Sequence, residues 1–138
     1  MLEKMLEDHA LWFETRGSAG ERAVLKGVDL SHAVLSGAKL IEADLMGAKL
    51  VKADLRGADL RGSNLQDADL KEAQLQDANL EEADLMMADL RGAFLHNARL
   101  GGTYLHGADL TGALGLTRDQ VDCAFQDTST RLPDFQNP

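Results

Sequence analysis

Few side chains in this sequence are of types that do chemistry, and they are scattered. Four histidines, His9, His32, His96 and His106, and one cysteine, Cys123, are the usual nitrogen and sulfur ligands or nucleophiles, and ten residues or more separate each from the next. A zinc site gathers such ligands at short spacings, so no metal site is expected. A lone cysteine also excludes an intramolecular disulfide and a cysteine zinc cluster. Placed in a short helix near the C-terminus, Cys123 reads as a buried packing residue, not a nucleophile. His9 falls on the apolar side of a helix and reads as a packed or hydrogen-bonded histidine. The chain has no phosphate-cradling glycine loop and no Gly-x-Ser-x-Gly elbow. These residues point to a protein that is not an enzyme and has no cofactor.

Charge narrows the partners. The chain has 138 residues, with 23 acidic against 14 basic side chains, a formal net charge of −9. That balance opposes direct contact with nucleic acid phosphates or an anionic membrane surface. The N-terminal Met1-Leu2-Glu3-Lys4-Met5 lacks a basic segment followed by an apolar one, and no run approaches the ~18 apolar residues of a membrane span. The expectation is a cytoplasmic protein of one domain.

The dominant pattern is structural. Leucine stands at every multiple of five from Leu25 to Leu110, eighteen in succession. Two residues before each is a small residue, nearly always alanine, with Val28, Ser63 and Thr103 as exceptions. Between the two, Asp or Asn is commonest, as at Asp44, Asp54, Asp59, Asn64 and Asp84. The two positions after each leucine are variable, and glycine is frequent at the second.

Neither regular element suits a period of five. On an α-helix, five residues advance about 500°, so the leucines would spiral around the axis. In one continuous strand an odd spacing sends successive leucines to opposite sides. A short extended segment and a turn in every pentad satisfies all of them. Leucine and the small residue two before it then point inward, and the other three positions point outward. Fixed short periods of this kind mark repeat architectures. The hexapeptide repeats of acyltransferase β-helices would need a period of six.

Tandem Ala-Asp-Leu-x-x units, as in Ala53-Asp54-Leu55-Arg56-Gly57-Ala58-Asp59-Leu60, resemble the pentapeptide-repeat family. The resemblance implies an all-β solenoid: a right-handed quadrilateral parallel β-helix with four pentads per coil. Twenty residues per coil gives about four and a half coils, roughly 22 Å tall at ~4.8 Å per coil.

An open column exposes an apolar cross-section at each end and needs caps. Residues 1–20 are expected to form an N-terminal capping α-helix and linker, 21–114 the β-helix, and 115–138 a C-terminal cap with a short helical tail. In the helix, expected over 2–16, Leu2, Met5, Leu6, His9, Ala10, Trp12 and Phe13 share one side, with Leu11 as an outlier. His9-Ala10-Leu11-Trp12 with Gly17 and Gly20-Glu21-Arg22-Ala23 resembles the leader before many bacterial pentapeptide repeats. Thr117 is placed to cap a helix from about 118 to 125, with Val121, Ala124 and Phe125 against the last coil.

For function, the resemblance implies a rigid scaffold for protein–protein interaction. It carries an alternative, since some relatives, including the fluoroquinolone-resistance group, are acidic rods that occupy the DNA-binding surface of DNA gyrase. Here the charge is spread over all four faces. Duplex DNA of 22 Å would present about 13 charges, more than this column offers unless two copies join end to end as a homodimer. Outward apolar residues are the better pointer to a partner: Met46, Met86, Met87, Phe94 and Tyr104 form the candidate interaction surface. Twenty-residue coils put Met46, Met86 and Tyr104 on one face and place Phe94 below Leu114 on another.

Overall fold

The computed structural model describes residues 1–135. It is a right-handed four-sided β-helix with a helix, α1 (Leu2–Glu14), at its N-terminal end and a short one, α2 (Arg118–Asp122), at the other. Four columns of parallel bridges define the faces. They begin Val24–Asp44–Asn64–Asp84–Tyr104, Asp29–Lys49–Asp69–Asp89–Asp109, Val34–Asp54–Gln74–Phe94–Leu114 and Lys39–Asp59–Asn79–Arg99, and every one of these steps is twenty residues.

One pentad shows how the sequence builds this. Leu65 N–H donates to Asp84 O at 2.7 Å in the next coil, and Asp84 N–H returns to Ser63 O at 2.9 Å. Ala68 N–H donates to Leu65 O at 3.1 Å and closes the turn. The second turn residue has positive φ in all eighteen pentads from 25 to 112, nine times glycine and nine times another residue. With only that residue left-handed, the turn follows the type II pattern.

The Asp or Asn before leucine also has a mechanical role. At all ten such positions from Asp29 to Asp109, the side-chain Oδ1 accepts the backbone N–H two residues on, at 3.0 to 3.3 Å. This is an Asx turn, which short polar side chains make readily. It fixes the corner that the following leucine must turn.

Inside, all eighteen leucines from Leu25 to Leu110 are buried. The two hydroxyl residues among the alanines are satisfied by carbonyls: Ser63 Oγ donates to Leu60 O at 2.7 Å and Thr103 Oγ1 to Leu80 O at 2.6 Å. Val28, the third exception, remains exposed although its position is inward. It lies in the first coil, which has no coil above it.

α1 lies over that first coil, with Leu2, Met5 and Leu6 packed on the core. It ends at Glu14, two residues short of the expected boundary, because the chain turns there: Gly17 N–H reaches back to Trp12 O at 2.8 Å. Leu11 is exposed as expected, but Phe13 is too, since it sits at the margin of the apolar arc.

At the other end, Thr117 and Gln120 form a reciprocal capping box on α2. Gln120 Nε2 also donates to Leu95 O and Ala98 O, both at 2.9 Å, so one side chain caps the helix and the column together. Val121 is the buried residue of α2. The helix stops at Asp122, short of the expected 125, and Cys123 is exposed as its C-cap rather than buried.

Phe125 corrects a second expectation. It does not face the last coil but continues the first face outward, bridging Tyr104. The reason is register: this step is twenty-one residues, and the next, Asp109 to Arg131, is twenty-two. The tail thus adds an irregular partial coil, and Phe125 falls where the aspartate stands in a regular pentad.

Candidate interaction surface

Three exposed apolar residues, Met87, Tyr104 and Phe125, lie at the C-terminal end of the Val24 face and the corner that follows it, while Leu11, Phe13, Val24, Val28 and Val34 are exposed at the other end and Leu114 on the Val34 face. Tyr104 is placed by the ladder below it, Tyr104 N–H to Ala83 O at 3.0 Å. Phe125 is placed above it by two bonds of 2.8 Å, Phe125 N–H to Thr103 O and Leu105 N–H to Phe125 O. The two rings stack with centroids 5.3 Å apart, and the His106 ring centroid is 6.3 Å from that of Tyr104. Around the corner, the Met87 sulfur occupies the space that a Cβ on Gly107 would need. Tyr104, Phe125 and Met87 are 41%, 52% and 64% exposed, so the ring pair stays open to solvent although its members touch.

Of the five candidate residues, Met86 and Met87 lie in the corner after Asp84, one coil below the Tyr104–His106 segment. Met46 lies in the same corner row as Met86 but two coils away, with Gln66 between them. Phe94 is on the opposite side of the column, half-buried between Gln74 and Leu114. Phe125 completes the cluster and was not legible as part of it, because a one-residue insertion after the last regular pentad hides its register.

The aspartates before the leucines are engaged. Asp54, Asp59 and Asp89 each form two-point ion pairs with the arginine two residues on, with closest contacts of 2.8, 2.8 and 2.7 Å. Those arginine hydrogen bonds hold the three carboxyls below the usual aspartate range. Asp127 is held low as well, by the Ser129 hydroxyl and its backbone N–H. Protonation therefore favours the unfolded chain. Stability from these groups is complete above about pH 4 and falls as pH drops through their lowered folded values. In a melting series from pH 6 to 2, the decline carried by these aspartates should begin below about pH 4. Replacing Arg61 and Arg91 by Gln should shrink that decline.

Among the described residues, no three His, Cys, Asp or Glu side chains are grouped to hold a metal ion. No helix is long and apolar enough to cross a membrane. What this corner presents to solvent is a small aromatic and thioether patch.

Comparison with known proteins agrees with the geometry. No curated protein matches the chain. Among solved structures, a pentapeptide repeat protein from Nostoc Pcc 7120 is 34% identical with a TM-score of 0.64, covering 91% of this chain and 85% of its own. A pentapeptide repeat protein from the Arabidopsis thaliana thylakoid lumen is 35% identical with a TM-score of 0.56, covering 71% of each chain. Trypsin-treated QnrB1, a plasmid-mediated fluoroquinolone resistance protein, shares the fold at 21% identity and a TM-score of 0.51, covering 79% of this chain and 65% of its own. The family model for pentapeptide repeats matches residues 21–50, 48–85 and 88–114 in eight copies. With the leucine row, the four bridge columns and this match in agreement, the chain belongs to the pentapeptide-repeat family.

Proposed function

We propose that the chain is a non-enzymatic scaffold that presents the Tyr104–Phe125 corner to a protein partner. The observation that supports this is the stacked, half-exposed aromatic pair of Tyr104 and Phe125, held at a fixed place on a rigid column. Exposed aromatics that are already held in place lose little freedom on binding, which makes them effective anchors. The filled interior favours this over catalysis, since enzymes converge polar groups in a concave site.

The engaged state of the aspartates counts against DNA mimicry. Each carboxylate before a leucine is committed to a turn, and three carry an arginine that cancels their charge. A mimic needs a continuous anionic face.

The test places a photoactivatable phenylalanine analogue at position 104 and, on the opposite corner, at exposed position 56. Crosslinks to a discrete partner in the expressing cell are expected from 104 and not from 56. Equal labelling at both would overturn the corner as the contact. Gyrase supercoiling of relaxed plasmid, run beside the protein's mass in solution, tests the rival: inhibition at low micromolar concentration by a dimer would install mimicry in its place.

A further inference from the structure

We propose that His9 is a proton-operated latch that holds the N-terminal lid on the column and releases it on acidification. His9 is the one buried residue of α1, and it is completely inaccessible to solvent. Its ring joins the lid to two successive coils: Nε2–H donates to Ile41 O at 2.6 Å, and Nδ1 accepts from Ala23 N–H at 2.9 Å. A carbonyl can only accept and an amide N–H can only donate, so the neutral ring protonated on Nε2 is the state that fits. These are the two side-chain hydrogen bonds from α1 to the column. Besides them, the Glu21 N–H donates to Asp8 O of α1 at 3.2 Å, and Leu2, Met5 and Leu6 pack on the core.

Adding a proton puts a second N–H on Nδ1, aimed at the N–H of Ala23. One bond becomes a donor facing a donor, and a charge is created in a dehydrated site. The surroundings do not compensate. The Ile41 carbonyl favours the positive ring but less than burial opposes it, and of the two nearby charges Arg22, at the start of the column, opposes it more than Glu42, in the second coil, favours it. The cavity beside the ring carries Lys39, Arg61, Asp59 and Glu14, with Asp59 taken by Arg61. Burial is the largest influence on the ring and lowers its pKa from the ordinary 6.5.

The sign follows from linkage. Above pH 6.5 the ring is neutral whether the lid is closed or open, and the latch is indifferent to pH. Below it, the open lid takes up a proton that the closed lid refuses. The opening equilibrium then rises by up to tenfold per pH unit until the closed-state ring itself titrates. Release uncovers the first coil, with Leu25 and Leu30 behind an edge that has no coil above it.

Two probes read this in the intact chain between pH 7.5 and 4.5, above the range where the aspartates titrate. Trp12 is the only tryptophan, and its ring stacks on His9 with centroids 5.4 Å apart, so its emission reports the latch directly. Amide exchange, corrected for intrinsic rates, should show α1 losing protection by up to tenfold per pH unit below 6.5 while amides of Leu50 to Leu90 keep theirs. In His9→Gln both responses should be flat. The latch is overturned if α1 protection is constant across the range, if His9→Gln shows the same loss, or if the whole column opens with the lid. Should the glutamine lid never close, the parent chain decides alone. Ring titration followed by NMR must then coincide with Trp12 emission and α1 exchange, and a ring that titrates with no change in α1 sinks the proposal.

Discussion

Leu65→Ala is expected to lower the stability of the column by about 2–5 kcal/mol, and Leu65→Lys to leave the chain unfolded. Leu65 is fully buried at mid-height, with further leucines above and below it in the same inward row. The alanines that share the interior are too small and too firmly held by the ladder to move into the vacated space. Most of the cavity therefore persists, which puts the loss at the upper part of the range. Lysine has no route outward, because both neighbours on the inward side are backbone-locked and its own amide is tied to Asp84 O at 2.7 Å. Circular dichroism melts of the two variants beside the parent decide the matter. A Leu65→Lys protein that melted with the parent would mean that the leucine row does not form the core.

Gly20→Ala should cost about 2–4 kcal/mol, and the loss should be confined to the lid. Gly20 has φ +76, and a Cβ there would collide with the backbone oxygen of Asp8 and approach Trp12 N at 2.7 Å. Both are helix backbone, which cannot swing aside. Gly57→Ala is the internal control. Gly57 has φ +66, but a Cβ there meets nothing within 4 Å, so only the left-handed strain remains, about 1–2 kcal/mol. The difference between the two substitutions measures how closely the linker is packed on α1. Equal effects, or loss of exchange protection throughout the column in Gly20→Ala, would contradict the separateness of the lid.

Much of this architecture was visible before any coordinates. The row from Leu25 to Leu110 required inward leucines, since no helix or single strand buries a period of five, and each of them is buried. The number of sides came from family resemblance, because period five alone is compatible with other polygons. What stayed hidden is what periodicity does not encode. The left-handed corner was legible where glycine marks it, as at Gly57, but Met87 and Lys52 adopt the same backbone without announcing it. The aspartates looked like surface charge, whereas their first role is to accept an N–H two residues on. Phe125 was misplaced because the tail leaves the twenty-residue register by one and then two residues, and Cys123 because α2 stops at Asp122. Once rhythm ends, orientation cannot be counted from it. Of the candidate surface, the stacking of Phe94 below Leu114 followed from register alone. The stacking of Phe125 on Tyr104 depended on that insertion.

The strict twenty-residue step between faces also sets how such a chain can change length. Inserting or removing one pentad rotates everything downstream by a quarter turn, moving the Tyr104 corner to a new azimuth relative to α1. Four pentads restore the azimuth and shift the corner by one coil, ~4.8 Å along the axis. The gene for this fold therefore has two independent adjustments. Duplicating five codons steers a surface around the axis, and duplicating twenty carries it along the axis, with the buried leucine row continuous in either case.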